Sequence, residues 1–158
     1  MKDSKDSKDS KEENLIRCAK KLVAGEDLFR ILSNLNEYSP TEIKSIYQIF
    51  KSLIKICQED SSSSEQVRNF FFAHIWKIID ALFLNLHKIK SDSVVFAVCK
   101  SLKRILKNDK LNEKIISLQF FSEIFDFTKN ENFVISFETF KILSVSKKNE
   151  GFVKLHIK

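Results

Sequence analysis

The chain has very little glycine and proline, with 2 Gly and 1 Pro in 158 residues. At average usage, a chain of this length would hold about 11 glycines and about 8 prolines. Folds with many tight turns, such as β-sandwiches and barrels, need glycine at positive φ and are therefore disfavoured. Phosphate-binding loops need several glycines within a few residues, so P-loop and dinucleotide-binding folds are excluded. The sequence therefore predicts an all-α protein with polar connections.

Long apolar runs and cysteine are also scarce. No apolar stretch approaches the ~18–20 residues of a membrane span, and the charged N-terminal segment lacks the apolar part of a signal peptide. The three cysteines, Cys18, Cys57 and Cys99, are far apart and odd in number. This pattern favours buried free thiols in a reducing compartment over a disulfide framework. We therefore expect a cytoplasmic protein that makes no membrane contact.

The sequence contains no recognisable catalytic or metal-binding motif. His74, His87 and His156 are not paired with one another, or with a cysteine, at the close spacing of a zinc site. The nucleophile elbow, the zinc-protease helix and the EF-hand loop are all absent from the sequence. Glu123 and Asp126 form an i,i+3 carboxylate pair, which is common on solvated helices. The sequence predicts no enzyme, no cofactor, no metal and no small-molecule substrate.

The N-terminal segment differs in composition from the rest of the chain. Residues 1–10 carry a three-fold Lys-Asp-Ser repeat without an apolar side chain. Such a segment has no burial with which to offset the entropy of ordering. The sequence therefore predicts a disordered tail over residues 1–12 and a single helical domain over residues 13–158.

Three long helices are predicted within this domain. Ser39, Pro40 and Glu42 have the spacing of a capping box with proline at the first helical position. Ser91 or Ser93 is the predicted cap of the second helix, which runs to about residue 108. Asn132 is the predicted cap of the third helix. Shorter helices are predicted at residues 13–23, 26–37, 66–72, 75–88, 111–117, 119–129 and 150–157.

Helical spacing predicts which side of each long helix faces the core. The inward residues of the first helix are Ile43, Ile46, Tyr47, Phe50, Leu53, Ile54 and Cys57. Those of the second are Val95, Val98, Cys99, Leu102 and Leu106. Those of the third are Phe133, Phe137, Phe140 and Leu143.

The three long helices share a short pattern, in which an aromatic residue is followed by Phe or Cys, then Lys, then Leu. The lysines of this pattern are Lys51, Lys100 and Lys141. Their spacing is close to the ~40–47-residue period of armadillo and HEAT units. Stacked units of two or three helices bury a continuous core without tight turns. The sequence therefore predicts an armadillo/HEAT-like helical repeat.

The chain is basic, with 27 Lys and Arg against 21 Asp and Glu and a net charge of +6. If the long helices stack side by side, polar residues around the repeated lysines form a ladder on one concave surface. The residues predicted to bind a partner there are Gln48, Lys51, Lys55, Lys100, Arg104, Glu138 and Lys141, with Phe133 as an apolar anchor. The alternatives are a solvated face and a helical-repeat protein that binds nucleic acid with this basic face.

Residues 27–156 resemble the mouse-protein-25 family, also called calcium-binding protein 39. The most specific stretch is residues 115–127 (IISLQFFSEIFDF), which continues in residues 132–143 (NFVISFETFKIL). Residues 48–50 (QIF) and 99–102 (CKSL) lie on helices at the expected places before it. The resemblance implies an armadillo-like scaffold in a right-handed superhelix. It covers mostly core residues and brings no catalytic signature.

The resemblance also implies a function. Family members bind and help to activate sterile-20-type protein kinases, or a related pseudokinase, through the concave face, and act in signal transduction and cell polarity. Family chains are longer, and this sequence ends before the family's C-terminal peptide pocket, so the pocket is not expected here. Despite the second family name, no calcium ligand set is present in the sequence. We therefore expect a non-catalytic kinase adaptor, with nucleic acid as the disfavoured partner.

Overall fold

The computed structural model describes residues 3–25, 27–59, 61–115 and 117–145. These residues form α-helices and three short 3-10 turns, and no β-strand occurs among them. The helices are α1 (Asp3–Ala24), α2 (Asp27–Ser33), α3 (Pro40–Gln58), α4 (Glu65–Leu84), α5 (Asp92–Lys107), α6 (Asp109–Ile115), α7 (Leu118–Thr128) and α8 (Phe133–Val145). The predicted all-α fold class is therefore confirmed, while the predicted helix at residues 150–157 lies outside the described residues.

The long helices begin where their capping residues predict. The Ser39 hydroxyl accepts the backbone N–H of Glu42 at 3.2 Å, and the Glu42 carboxylate accepts the N–H of Ser39 at 3.0 Å. Hydrogen bonds to the Glu42 carboxylate, first from the Ser39 backbone N–H and then from the Ser39 side chain, lower the pKa of that carboxyl. At the start of α8, Asn132 Oδ1 accepts the backbone N–H of Val134 at 2.9 Å. Ser91 precedes the first residue of α5 in extended conformation, as an N-cap residue does, but its side chain makes no capping hydrogen bond.

The structure of α1 differs from the predicted disordered tail over residues 1–12. The helix begins at Asp3 and continues without interruption to Ala24. Once a helix is nucleated, each further residue fixes only its own two backbone dihedrals and gains one hydrogen bond, so extending a helix costs far less free energy than starting one. Later turns of α1 reach the core, where Ala19 and Val23 are buried. The polar segment therefore extends a helix that is anchored further along the chain.

Helix α4 consists of two helical segments separated by a kink at His74, whose φ of -123° and ψ of 21° are not helical. The kink lies between the two short helices predicted at residues 66–72 and 75–88, so the predicted break is confirmed. The His74 ring lies 5.6 Å from that of Phe29 and 4.9 Å from that of Phe70, measured between centroids. Phe71 is fully buried on the same helix. The aromatic run of α4 is therefore largely core.

Helix α5 lies in the middle of the described structure. It packs against α3 on one side and α8 on another, while α7 pairs with α8 and α4 contacts α2, α3 and α6. Pro40 and Ser93, early in α3 and α5, line one hollow between these helices, whereas Gln58 and Lys107 line another. Helices α3 and α5 therefore run in the same direction.

The inward faces of α3 and α5 are those that the sequence predicts. All five predicted inward residues of α5 are buried, as are Ile43, Phe50, Leu53, Ile54 and Cys57 of α3. Ile46 and Tyr47 are partly buried at the edge of the same core. These packing predictions are confirmed.

Two buried asparagines connect distant parts of the chain. Asn108, just after α5, donates from Nδ2 to the carbonyl of Ile54 at 3.1 Å and accepts the N–H of Leu111 at 3.0 Å. Asn85, just after α4, accepts the N–H of Leu35 at 3.0 Å. A buried amide with partners on two elements fixes the position of one relative to the other. Asn108 therefore helps to fix the position of α3 relative to the end of α5 and the start of α6.

Helix α8 is oriented differently from the prediction. Phe133, Phe137 and Phe140 are 75%, 47% and 62% exposed, so their predicted inward placement is wrong. Leu143 packs at the edge of the core. The helix instead buries Ile135, Glu138, Thr139 and Ile142. The helix carries apolar side chains of its own on all sides, so its sequence does not define one inward face. Its contacts with α5 and α7 bury the face that carries Ile135 and Ile142.

Candidate interaction surface

A groove runs between the exposed sides of α3 and α5. It consists of two hollows, of about 520 Å³ and about 440 Å³, and Gln48 lines both of them. Cations line the groove along its whole length: Lys44, Lys51, Lys55, Lys100, Arg104 and Lys107. No Asp or Glu is among the described residues that line it. We call this feature the α3–α5 groove.

The groove follows from the periodicity of its two helices. Residues three or four positions apart share one face of a helix. On α3 this face carries Lys44, Gln48, Lys51 and Lys55. On α5 it carries Phe96, Lys100, Arg104 and Lys107. Because the opposite faces pack into the core, the two polar stripes lie on either side of the groove.

Tyr47 of α3 contacts two cationic side chains of α5 across the groove. Its hydroxyl accepts a hydrogen bond from Arg104 Nε at 3.3 Å. The ammonium of Lys100 lies 5.8 Å from the centroid of its ring, within the range of a cation–π interaction. Two of the six cations of the groove are thus positioned by one aromatic side chain.

Five of the eight residues predicted from the sequence line this groove: Gln48, Lys51, Lys55, Lys100 and Arg104. Gln48, Lys55 and Lys100 are exposed, while Lys51 and Arg104 are half-buried. The structure therefore brings these five residues together between two neighbouring helices. The other three predicted residues lie on α8 and are not part of the groove lining.

Glu138, one of these three, is only 6% exposed, so the prediction that it lies on an open surface is wrong. Its carboxylate pairs with Lys141 at 2.8 Å and lies 4.0 Å from Lys103 of α5. Buried carboxylates are tolerated when cations compensate them. Glu138 therefore connects α8 to α5, and Lys141 is engaged with Glu138.

Phe133 belongs to a different surface. Together with Phe137 and Phe140 it forms an exposed row on α8, which we call the α8 aromatic stripe. The rings of Phe133 and Phe137 are stacked, with centroids 5.7 Å apart and an interplanar angle of 13°. Contiguous exposed apolar side chains are typical of surfaces that contact another molecule. The predicted apolar anchor is thus exposed, on the face of α8 away from its buried residues.

Four of the groove residues that the sequence analysis did not predict are Lys44, Lys107, Phe96 and Tyr47. Lys44 and Lys107 continue the two stripes by one more step, so a longer search along the same periodicity finds them. Phe96 lies four residues before Lys100 and shares its face for the same reason. Tyr47 was placed with the core, and it does lie at the core edge while its hydroxyl reaches the groove.

A separate cleft between α4 and α7 is acidic. Asp80, Glu123 and Asp126 line it, together with Phe83 and Phe127, in a volume of about 500 Å³. One oxygen of Glu123, Oε2, is buried without a hydrogen-bond partner. Burial raises the pKa of the Glu123 carboxyl, and the neighbouring carboxylates add to the shift. No cluster of His, Cys, Asp and Glu suited to a metal ion occurs within the described part of the chain.

The cysteines show no sign of reactivity at the two buried positions. Burial raises the pKa of Cys57 to about 12 and that of Cys99 to about 12, so both thiols are protonated at neutral pH. A nucleophilic cysteine needs the thiolate form. Cys18 is exposed on α1, which differs from its predicted burial.

Comparison with known proteins does not identify the chain, because no protein-family model, curated protein or solved structure matches it. A search of the described helices for a segment able to cross a membrane finds none. A functional argument therefore depends on the charge and shape of the surfaces described above.

Proposed function

We propose that the protein is a non-catalytic scaffold that binds a partner protein through the α3–α5 groove. The observation that carries this proposal is the charge of the groove, which six cations and no carboxylate line. The whole chain holds 21 acidic residues for 27 basic ones, so a surface of average composition would mix both signs. Single-sign patches attract and orient oppositely charged partners. The groove therefore suits an acidic partner.

We further propose that the fold is an armadillo/HEAT-like repeat in a right-handed superhelix. The parallel direction of α3 and α5 supports this architecture, because neighbouring equivalent helices of stacked repeats run in the same direction. Neighbouring helices of a simple bundle joined by short loops are antiparallel instead. Helix α8 lies beside α5, where a third unit would lie, but it does not repeat their inward face. Phe140 is 62% exposed, whereas Phe50 and Cys99 at the equivalent positions of α3 and α5 are buried.

The resemblance to the mouse-protein-25 family supports a kinase as the partner. On this proposal, the chain binds and helps to activate a sterile-20-type protein kinase or a related pseudokinase in the cytoplasm, in signal transduction and cell polarity. Because the groove is positively charged, we further propose that the docking surface of the kinase is acidic. The α8 aromatic stripe offers a second contact area for a partner large enough to reach it.

Charge reversal in the groove tests this function. We expect Lys51→Glu, Lys55→Glu and Lys100→Glu together to slow association with an immobilised sterile-20-type kinase domain by about tenfold or more, because groove charges steer the encounter. The matched control reverses three exposed lysines outside the groove, Lys88, Lys90 and Lys129. Association rates and melting temperatures are measured for both variants. Equal association rates for the two variants would contradict the proposal.

The second candidate function is nucleic-acid binding by the same groove. The observation in its favour is the row of six cations, which resembles an electrostatic track for phosphates. A labelled DNA duplex and a labelled single strand should then bind, with affinity falling by about 0.9 log units per phosphate contact per log unit of salt for the duplex. Kinase binding at physiological salt without binding of either nucleic acid would remove this candidate.

A further inference from the structure

We propose that the α3–α5 groove takes an extended acidic segment of a partner protein, with an apolar side chain at one end and carboxylates at the other. This inference rests on the proposed scaffold function, because it specifies the part of the partner that the groove recognises.

The two ends of the groove differ in chemistry. The end near the first turns of α3 and α5 is lined by the exposed Pro40 and Phe96, the half-buried Tyr47, and the buried Ile43 and Ala97. Phe96 is 40% exposed there, which leaves apolar surface open to a ligand. The groove therefore has an apolar end that a purely anionic ligand would leave uncovered.

The other end is polar and more densely basic. It is lined by Lys51, Lys55, Arg104 and Lys107, and also by Gln58 and the buried Asn108. Four cations around one hollow favour a ligand with more than one carboxylate. Lys44 and Lys100 continue the positive charge to the apolar end. The sign of the charge thus selects an acidic ligand over its whole length.

The spacing of the two ends sets the length of the ligand. Tyr47 and Lys55 are eight residues apart on α3, as are Phe96 and Arg104 on α5. Eight residues of helix span about 12 Å. An extended chain covers about 3.3 Å per residue. The apolar side chain and the first carboxylate of the ligand should therefore lie about four positions apart, with about three residues between them. This spacing holds for either direction of the bound chain.

The geometry favours a peptide over a nucleic acid. Proteins that bind single strands use aromatic rings as open platforms for the bases. The Tyr47 ring is not such a platform, since Lys100 lies near it and Arg104 is bonded to its hydroxyl, which leaves Phe96 as the one exposed aromatic ring among the described residues that line the groove. Phosphates would match the cations but would gain nothing from the apolar surface of Pro40 and Phe96. A segment that carries both an apolar side chain and carboxylates uses the whole groove.

Short synthetic peptides test the spacing directly. The probe is a fluorescein-labelled peptide with one leucine, three neutral residues and then three glutamates, and its binding is followed by fluorescence anisotropy. We expect it to bind about tenfold more tightly than an isomer in which the leucine adjoins the glutamates. A peptide with glutamine in place of every glutamate should lose binding. Equal binding of the two isomers would overturn the spacing.

Variants at each end of the groove locate the peptide. Phe96→Ser should weaken binding by a similar factor at low and high salt, because it removes apolar contact. Lys55→Gln with Lys107→Gln should weaken binding mainly at low salt, because it removes charge. Lys88→Gln with Lys90→Gln is the matched control, and melting curves check that every variant is folded. Peptide binding that neither groove variant changes would overturn the proposal.

Each alternative ligand of the groove predicts a different experimental result. Tighter binding of an oligothymidine than of the peptide, with the same sensitivity to the groove variants, would overturn the proposal in favour of nucleic acid. Self-association in sedimentation velocity that the groove variants abolish would do so in favour of a second copy. Kinase binding without peptide binding would overturn this inference and leave the scaffold function standing. Peptide binding without kinase binding would remove the kinase and leave the groove as a peptide site.

Discussion

Two glutamates show how single residues meet opposite surroundings in this fold. Glu138 is buried on α8 between Lys103 and Lys141, so its charge is compensated. Glu123 lies in the acidic cleft beside Asp80, with one carboxylate oxygen lacking a hydrogen-bond partner. Removing the charge of Glu138 would leave two lysines without their carboxylate. Removing the charge of Glu123 would instead relieve its repulsion by the neighbouring carboxylates.

Glu123→Gln is therefore predicted to raise the melting temperature at pH 7. Burial is the main cause that raises the pKa of Glu123 in the folded state, and the charge of Asp80 is the second. A carboxyl with a raised folded pKa holds its proton more tightly when folded, so stability is lost as pH rises from the unfolded pKa through the folded one. The gain from the substitution should shrink on acidification and vanish below about pH 4, where the carboxyl is protonated in both states.

Thermal melts between acidic and neutral pH measure this effect. Glu113→Gln is the control, since Glu113 is exposed on α6, outside the acidic cleft. We expect the control to change the melting temperature little at any pH. A gain for Glu123→Gln that is the same at every pH, or no gain at pH 7, would contradict the assignment of the acidic cleft as a site of charge repulsion.

The helices differ in how clearly their sequences define an inward face. On α3 and α5, polar residues occupy one side and apolar residues the other, so one orientation satisfies the periodicity. On α8, Phe133, Phe137 and Phe140 occupy one side, while Ile135 and Ile142 occupy the opposite one. Both sides are apolar, and only the contacts with α5 and α7 decide between them. The orientation of α8 is thus a tertiary property.

The opposite faces of α8 predict opposite effects of truncation. Phe140 is 62% exposed and Ile142 is fully buried. Phe140→Ala should lower the free energy of unfolding by no more than about 0.5 kcal/mol, as is usual for surface sites. Ile142→Ala should lower it by about 2–5 kcal/mol, through lost burial and a cavity. Urea unfolding of both variants measures the difference. A larger loss for Phe140→Ala than for Ile142→Ala would mean that the aromatic face is the buried one.

The same reasoning explains how much of the candidate site the sequence contains. Helical periodicity alone brings Gln48, Lys51 and Lys55 to one face, and Lys100 and Arg104 to another. That these two faces meet in one groove depends on the parallel packing of α3 and α5, which the recurring pattern around Lys51 and Lys100 indicates. The burial of Glu138 has no such signal, because an ion pair with Lys103 of another helix is not visible in local spacing.

At the scale of the whole molecule, the order of packing follows the order of the chain. Helix α4 contacts α2 and α3, while α5 lies between α3 and α8, and α8 pairs with α7. Asn108 links the end of α5 to α3, and Glu138 links α8 to α5. Helices α3, α5 and α8 therefore follow one another in the packing as they do along the chain. In the proposed helical repeat, stability would be close to a sum over units and interfaces between neighbours.

Local destabilisation should therefore stay local, and native-state hydrogen exchange followed by mass spectrometry can measure where it spreads. Ile142→Ala should speed exchange in α7 and α8 and leave α2 and α3 near their wild-type rates, because the lost packing would lie at one end of the proposed stack. Ile43→Ala, which opens a cavity in α3, is the counterpart variant and should speed exchange in α2 to α4 instead. In a single cooperative core, either variant would raise exchange in every helix by a similar factor. That uniform response would contradict the helical-repeat architecture, and with it the view that the α3–α5 groove is a junction between two stacked units.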